Sequence, residues 1–579
     1  MVIYNPKKYF LRPQTPTQRR YEALRAHFVD GIPRKQVSEQ FGYTFYSFQA
    51  LVRDFLQEKV NFFIEKRPGP TTRRTPESVR NKIIFWRKKN FSAPDIQTKL
   101  EEEKILIGER TIERILQDEG FVKLPRRTHK EMGLTTKKTF IPEKSQQLNF
   151  DTFSEGKFDC QVAGIFYFIP YMIRIKLDKL VEKSLFPETS QLSALNSIFS
   201  ILALKLIGKE RLSKIVDFNF DRGFGFFAGL NVLPKSWAIS TYSYRIDKQS
   251  TTSFMHDFVS AIKNLDEGYY NGKTINLDFH AIPHFGDKSV LEKHWVGSRN
   301  KAMKSALTFL AQDGESKKVS YVSADIKRSE ASKEVLNFVN YWLDIKGVLN
   351  QTLVFDSKLT TYAILKQLDS DNIKFLTLRR RGEKLIEDAY AISHEKWEKV
   401  DVDVPKRKYN KFLAYDHVTT LPREKFEVRE IIIKEHGREK PTFIITNNYD
   451  FPLIDAVTFY ARRWRIENTI SDLVNFFSLN ALSSPIIIRI HFDVLLTMVA
   501  DTLYKLMAED LKGFENCTSK ELFVRFINTP GKVIVDGDNV IVKMKKRAHT
   551  PILKSNEVFR KDWEVPWWNN ITFKYIWIS

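Results

Sequence analysis

Periodic apolar positions divide the first part of the chain into short helices. Apolar residues recur every three to four positions in three stretches, residues 19–29, 34–41 and 44–55. Gly and Pro residues separate these stretches, and the second and third are joined by Gly42. The order is typical of a helix-turn-helix module, so we expect one in residues 1–66, although a three-helix bundle without DNA would show the same pattern. Its third helix would enter the major groove of DNA.

The three-helix pattern returns after a linker that is rich in Pro and Arg, residues 67–76. Three further stretches, residues 77–89, 94–103 and 109–119, predict a second helix-turn-helix-like module in residues 77–145. A basic tail follows its third helix, and the linker arginines lie either along phosphates or in solvent. In this amino-terminal part we expect DNA contacts from Gln49, Arg53, Arg73, Arg74, Arg126 and Arg127.

The remaining chain predicts a helical domain and then an α/β core. Residues 146–270 are apolar with helical spacing and carry no catalytic pattern. Strand patterns follow at residues 274–282, 319–326 and 351–355, with a helix at 330–343 and a long helix at 453–477. The expected boundaries are catalytic core residues 271–379 and 442–500, a charged, β-rich insertion at 380–441, and a carboxy-terminal segment at 501–579.

Composition and charge indicate a binding partner and a cellular compartment. The net charge is +22, and residues 1–150 hold 30 Lys and Arg against 17 Asp and Glu. A Lys-rich codon bias explains a diffuse excess but not this concentration, so we expect double-stranded DNA as the partner. Two distant cysteines, Cys160 and Cys517, fit neither a disulfide framework nor a cysteine zinc site. With no membrane span expected either, we predict a cytoplasmic, nucleoid-associated protein.

Three carboxylates stand out by position. Asp278 lies inside a predicted strand, Asp356 closes an apolar run, and Glu467 lies within the predicted helix 453–477. An Asp is unfavourable within a strand, and a buried carboxylate needs a partner or a metal ion. Taken singly, Asp356 reads as a turn residue and Glu467 as a solvated side chain. Together the three can share two Mg²⁺ ions, or Mn²⁺, about 3.5–4 Å apart.

The segment around Glu467 is the most specific. Tyr460, Arg463, Trp464 and Glu467 are spaced i, i+3, i+4 and i+7, which places them on one face of a helix. Such a stripe is usually core, but a core stripe would not combine an Arg and a Glu beside a Tyr. We therefore interpret this face as an active-site wall, with Glu467 on metal and Arg463 on phosphate.

This segment resembles the Tyr-x2-Arg-x3-Glu (Y-R-E) motif of DDE-type insertion-sequence transposases, in the group that cuts and pastes through a DNA hairpin. Asp356-Ser357 and the later run 373–382 are similar to the second block of that family. The resemblance covers roughly residues 270–485. It implies a ribonuclease-H-like fold with a β-rich insertion, metal binding by Asp278, Asp356 and Glu467, and DNA contacts from Tyr460 and Arg463.

The chain departs from the family at two positions. Val474 stands where many members have a Lys, so one phosphate contact is in doubt, and Arg465 or Arg489 could replace it. Phe279 and His280 follow the first Asp where Ser or Thr is common. His280 is a candidate for the scissile phosphate or a plain strand histidine. Trp397 and Trp464 are candidates for stacking on a flipped base, or for packing.

The sequence thus predicts a cut-and-paste DNA transposase that acts as a homodimer on the ends of its own element and on target DNA. Two other functions share most of these features. One is a transposase-derived DNA-binding regulator that has lost its activity, and the other is a metal-dependent nuclease of the same fold, which would cut strands without joining them.

Overall fold

The computed structural model describes residues 15–60, 62, 75–122, 124, 145–149, 155–286, 291–359, 361–402, 410–422, 424–481 and 486–579. The chain forms two compact units, Met1–Arg74 and Thr75–Ser579. Four of the expected DNA contacts, Arg73, Arg74, Arg126 and Arg127, lie outside the described residues.

The first unit contains three helices, α1 (Pro16–Phe28), α2 (Arg34–Phe41) and α3 (Phe45–Leu56). Threonine side chains cap two of them, because Thr15 accepts a hydrogen bond from the backbone of Gln18 and Thr44 from that of Ser47. Gly42 ends α2 with φ of 68°, a left-handed conformation that suits glycine. The apolar faces close over a core of Ala23, Leu24, Ala26, Val37, Phe41, Phe48 and Val52.

The second unit begins with another group of three helices, α4 (Glu77–Lys88), α5 (Ala93–Glu102) and α6 (Glu109–Asp118). Ser92 and Asp95 form a reciprocal capping box at the start of α5. A buried ion pair at 2.5 Å joins Arg80 to Glu119 and so connects the first and last of these helices. The helices lie close to their expected positions.

Residues 155–263 form one strand and a set of apolar helices, β1 (Glu155–Cys160), α7 (Ile169–Arg174), α8 (Leu177–Lys183), α9 (Ala194–Leu206), α10 (Arg222–Phe227), α11 (Ser236–Tyr242) and α12 (Lys248–Lys263). The helices match the expected helical character of this region. The strand β1 does not, and it pairs with the carboxy-terminal segment instead.

A large mixed sheet follows, built from β2 (Thr274–Pro283), β3 (Lys293–Val296), β4 (Lys301–Asp313), β5 (Val319–Ile326), β6 (Thr352–Val354), β7 (Phe375–Leu378), β8 (Glu398–Asp401), β9 (Lys411–Thr420), β10 (Glu427–Lys434) and β11 (Thr442–Thr446). Antiparallel β5, β4 and β2 are followed across the sheet by β6 and β7, which run parallel to β2. Helix α13 (Glu334–Lys346) connects β5 to β6, and α14 (Tyr362–Ser370) connects β6 to β7.

The segment expected as an insertion, residues 380–441, begins with helix α15 (Glu383–Ala391) and then adds strands to the same sheet. Strand β11 pairs with β7, β10 pairs with β11, and β9 and β8 follow in order. The segment therefore extends the central sheet at its β7 edge and does not form a separate sheet.

The expected long helix 453–477 is two helices, α16 (Leu453–Arg462) and α17 (Trp464–Asn475). At the junction the backbone N–H of Arg463 donates to Tyr460, and that of Ile466 donates to Arg463, so each bond spans three residues where an α-helix spans four. The one-helix expectation is corrected here: the tightened turn places Arg463 at the joint.

The carboxy-terminal part consists of α18 (Ile487–Asp510), α19 (Ser519–Leu522), β12 (Gly531–Asp536), β13 (Asn539–Lys545), α20 (Thr550–Ser555), α21 (Glu557–Arg560), β14 (Trp563–Val565) and β15 (Ile571–Ile578). Its strands form a sheet in the order β1-β12-β13-β15-β14. Across the described residues, none of the helices combines the length and apolar character of a membrane span.

Candidate functional site

Two aspartates meet at the centre of the large sheet. Strands β2 and β6 are parallel, with Asn276 paired to Val354. Two residues further along each chain are Asp278 and Asp356, and because a strand rises about 3.3 Å per residue, both reach the same level. The side chain of Ser357 donates a hydrogen bond of 3.2 Å to Asp356. The parallel pairing thus brings together two acids that are 78 residues apart in sequence.

The third acid comes from helix α17, which packs on the face of the sheet that carries Asp278. Gln312 of β4 fixes this contact by donating a hydrogen bond of 2.6 Å to Thr469 of the helix. Glu467 lies two residues before Thr469, on the exposed side of the first turn.

Arg463 connects two of the three acids. Its guanidinium lies 3.4 Å from Oδ2 of Asp278 through Nη1, and its Nη2 donates a 2.6 Å hydrogen bond to Oε1 of Glu467. The fork geometry of Arg allows one side chain to serve two carboxylates in this way. We expected Arg463 to contact a phosphate, whereas in this structure it contacts the carboxylates of Asp278 and Glu467.

Burial dominates the electrostatics of Asp278. It raises the pKa of this carboxyl to about 6, against the opposing effect of Arg463. The negative charges of Glu467 and Asp356 push the same pKa upward, so Asp278 interacts electrostatically with both other acids. A cluster of this kind favours a bound cation, because positive charge relieves both the burial and the repulsion.

A cavity of about 530 Å³ opens beside this cluster. Its polar lining consists of Asp356, Tyr460, Arg463, Trp464, Glu467, His436, Arg438 and Thr442. Burial raises the pKa of the Tyr460 phenol to about 12, further above physiological pH than the ordinary tyrosine value. The cavity thus combines two guanidinium groups, a hydroxyl donor and two carboxylates, a set suited to a phosphodiester.

His436 and Arg438 were not expected at this site. Both lie in the turn between β10 and β11, where Gly437 has φ of 85°. His436 is buried, with Nε2 3.0 Å from the hydroxyl of Thr442, whereas Arg438 is exposed. The sequence signal for these residues was the short run of His, Gly and Arg between two apolar strands. Because the segment was expected to be an insertion away from the site, that run gave no reason to predict a functional role.

Two other candidates lie away from the cavity lining. His280 follows Asp278 on the same face of β2, but its ring lies 2.7 Å from the side-chain oxygen of Asn480, and burial lowers its pKa. Trp397 is buried against Ile432 and Phe443, whose neighbours Ile433 and Ile444 line the cavity. Adjacent strand residues point to opposite faces, so Trp397 packs on the far face. Its position does not support base stacking and corrects that expectation.

The residues considered as substitutes for the family Lys are engaged elsewhere. Val474 packs against the main core, so its position does not face the cavity as a phosphate ligand would. Arg465 donates to the backbone oxygen of Gly314, and Arg489 donates to Ser243 and Ser240. The additional cavity cation that the structure supplies is Arg438.

In the first unit, Gln49 and Arg53 lie on the exposed face of α3, together with Tyr46. The buried face of that helix carries Phe48 and Val52. Arg53 pairs with the adjacent Asp54 at 3.2 Å, a surface pair that contributes little to stability. This face can therefore meet a partner without disturbing the core.

The donor chemistry of the acid cluster fits a divalent cation. Carboxylate oxygens are the ligands that Mg²⁺ prefers, and two of the three acids, Asp278 and Glu467, already hold one positive charge, that of Arg463. Among the described residues, no group of three or more His, Cys, Asp and Glu side chains is yet arranged as a metal site. In this state Arg463 provides the counter-charge.

Residues 275–500 match the family described as the transposase DDE domain. The matched range begins one residue into β2 and ends within α18, so it includes all three acids and the cavity. No curated protein matches the chain.

Proposed function

Starting from the transposase DDE domain that this chain carries at residues 275–500, we propose that it cuts phosphodiesters at the ends of its own element and joins the freed 3′-hydroxyls to target DNA. The mode that we propose is cut-and-paste, carried out at the nucleoid by a homodimer. The domain would have a ribonuclease-H-like fold, in support of which β5, β4, β2, β6 and β7 lie in that order with β6 and β7 parallel to β2.

The observation that carries this proposal is the meeting of Asp278, Asp356 and Glu467 from two parallel strands and a helix. Asp278 lies within a strand and is costly to bury, and the charges of Asp356 and Glu467 raise its pKa further. A structural role would be better served by neutral side chains. A catalytic role accounts for all three, because acids that share a cation must lie close together.

Asp278, Asp356 and Glu467 would hold Mg²⁺, or Mn²⁺ in its place. The bound ions would supply Lewis-acid chemistry, which makes a water or a 3′-hydroxyl a better nucleophile and stabilises the leaving oxygen. Asp278 and Asp356 are both partly buried, whereas Glu467 is exposed.

The other cavity residues would bind and orient the DNA strand. Arg438 and Arg463 can each contact phosphate oxygens, and Arg463 would exchange a carboxylate for a phosphate as DNA enters. Tyr460 is a neutral phenol at neutral pH, as an ordinary tyrosine is, and burial raises its pKa further, so its hydroxyl can donate a hydrogen bond. The half-buried ring of Trp464 lines the cavity and is the remaining candidate for stacking on a base.

The helices of the first unit would recognise the element ends. Gln49 and Arg53 on α3 have the side-chain chemistry that reads adenine and guanine in the major groove. The basic linker and tail arginines, Arg73, Arg74, Arg126 and Arg127, would add phosphate contacts that do not depend on sequence.

The test uses a plasmid that carries the gene's two flanking DNA segments around a marker. Purified protein with Mg²⁺ or Mn²⁺ should release the marker fragment and insert it into a second plasmid, and Glu467→Gln should abolish both steps while leaving DNA binding intact. The matched control is Glu387→Gln, because Glu387 is an exposed glutamate on α15. Binding without cleavage by the wild type would favour the inactive regulator, and cleavage without joining would favour the nuclease.

A further inference from the structure

The central sheet continues beyond Asp278 into an exposed β-hairpin, which we call the arm (residues 291–304). Strand β3 pairs antiparallel with the first four residues of β4, and Gly297–Arg299 form the turn. Asp278 is paired with Leu310 of β4, six residues from Lys304. At about 3.3 Å per residue, the arm begins roughly 20 Å from the acid cluster.

One face of the arm is continuous with the face of Asp278. Side chains alternate along a strand, so Lys304 shares the face of Leu310 and hence of Asp278. Across the hairpin, Lys304 is paired with Lys293, and Ala302 is paired with Trp295. The face therefore presents two lysines and an indole on the same side of the sheet as the cavity acids.

The indole of Trp295 is open to solvent. It is 62% exposed, and the residue opposite, Ala302, is too small to cover it. Single exposed apolar residues are common on proteins, but this one lies beside a directly opposed pair of lysines, which repel each other. An exposed ring next to these lysines suits a ligand that has both flat rings and negative charge.

A second exposed ring lies where β2 ends. Phe285 is 64% exposed, and the guanidinium of Arg299 from the arm's turn lies 5.4 Å from its ring centre. The acid of the arm, Glu292, accepts a 2.7 Å hydrogen bond from the backbone of Arg328. The described surface of the arm is thus basic, and cations lie beside Trp295 of the arm and Phe285 at the end of β2.

We propose that the arm binds an unpaired DNA strand next to the cleavage site, with a base stacked on Trp295 and phosphates on Lys293 and Lys304. Aromatic rings among cations are how proteins hold single strands, because every unpaired base offers a flat face. A duplex hides those faces within its stack, so it would use the lysines and leave the indole exposed. This inference rests on the proposed function, since it takes DNA as the substrate.

Fluorescence anisotropy with the full-length chain tests the proposal, using a labelled 20-nucleotide poly-dT strand and a mixed-sequence duplex of equal length, in EDTA. Trp295→Ala should weaken single-strand binding about tenfold and change duplex binding less than twofold. Trp295→Phe should restore most of the loss. The matched control is Trp237→Ala, an indole that is 77% exposed on α11, which should change neither affinity.

The lysines give a second readout. Replacing both Lys293 and Lys304 with Ala should lower the slope of log affinity against log salt for poly-dT by about 1.4, the value for two phosphate contacts on a single strand. An unchanged poly-dT affinity in Trp295→Ala, or equal losses on both DNAs, would overturn the proposal. The proposal would also be overturned if Trp295→Ala changed the mass of the protein measured by light scattering without DNA, since the arm would then bind a second copy of the chain.

The assay contains no metal and needs no cleavage, so its outcome is independent of catalysis. A chain that neither cuts nor joins DNA, but whose Trp295→Ala variant loses single-strand binding selectively, would refute the proposed function and leave the arm's role standing. If the Trp295→Ala variant transposes DNA normally and shows no loss of single-strand binding, the arm's role is refuted and the proposed function stands.

Discussion

Arg463 neutralises two carboxylates at once, and one of them is buried. Asp278 has a pKa of about 6 even with this guanidinium beside it, which shows how strongly burial opposes its charge. In this position Arg463 stabilises the folded protein. It also supplies the positive charge that a divalent cation would otherwise bring to these carboxylates. Its position at the joint between α16 and α17 links that role to the backbone turn.

Replacing Arg463 with Ala should therefore destabilise the protein. We expect the free energy of unfolding to fall by about 1–3 kcal/mol, because a buried charged group loses its partner. Urea denaturation measures this change. A double-mutant cycle identifies its origin: in an Asp278→Asn background the same Arg463→Ala change should cost clearly less. Equal losses in both backgrounds would show that Arg463 acts through packing and not through the acid.

A second residue-scale prediction concerns Lys88 of α4. Burial lowers its pKa to about 8 although Asp247 and Glu119 oppose the shift, and no hydrogen-bond partner for its Nζ lies among the described residues. Below pH 8 the folded chain holds this buried charge at a cost. Between pH 8 and about 10.5 the unfolded chain binds more protons than the folded one, so stability attributable to Lys88 rises with pH.

Lys88→Met should remove this cost. We expect it to stabilise the protein at pH 7 by roughly 1–3 kcal/mol, and the advantage should shrink above pH 8 and disappear above about pH 10.5, where Lys becomes neutral in both states. Thermal melts of both proteins across this range measure the difference. An advantage that is independent of pH would mean that Met simply packs better.

At the scale of elements, α3 is the helix that we predict to recognise the DNA sequence. Gln49→Ala should lower affinity for the element end about tenfold and leave affinity for scrambled DNA unchanged, since a Gln that contacts a base edge discriminates bases. Lys35→Ala, an exposed change on α2, should weaken both DNAs about equally or neither. Anisotropy with both duplexes distinguishes these cases. Equal losses on both DNAs in Gln49→Ala would remove α3 from sequence recognition.

The elements also show what the sequence could reveal. The amino-terminal helices were predictable because each apolar face is complete within one helix and is bounded by Gly, Pro or a capping residue. Strand β4 was missed. Its residues, rich in Lys, Ala and Leu, favour a helix locally, but β2 and β5 pair along its two edges and tertiary pairing prevails. The break at Arg463 was missed because α16 and α17 share one helical periodicity.

At the scale of the whole molecule, distant pairing sets the architecture. Strand β1 lies about 375 residues before its partner β12, and neither carries a sequence signal for the other. The expected insertion likewise joins the central sheet through β11, and only that pairing brings Arg438 to the cavity. The three acids could be proposed from the sequence because of their positions taken together and the resemblance of the segment around Glu467 to a family motif. The ion pairs that Arg463 makes with Asp278 and Glu467 were visible only in three dimensions.

The stoichiometry of the DNA complex follows from the single acid cluster. Within the described residues each chain has one set of Asp278, Asp356 and Glu467, whereas an element has two ends to cut. We therefore expect two copies of the 67.9 kDa chain in a complex with paired ends. Mass photometry of the complex measures this number. One chain per pair of ends would contradict the proposed homodimer.

The most direct measurement is an anomalous difference map from crystals of the protein with end DNA, grown with Mn²⁺ in place of Mg²⁺. We expect manganese bound by Asp278, Asp356 and Glu467, with the guanidinium of Arg463 moved from the acids to a DNA phosphate. A cleavage-competent complex whose manganese lies elsewhere, or whose Arg463 still bridges Asp278 and Glu467, would contradict the assignment of these three acids as the catalytic centre.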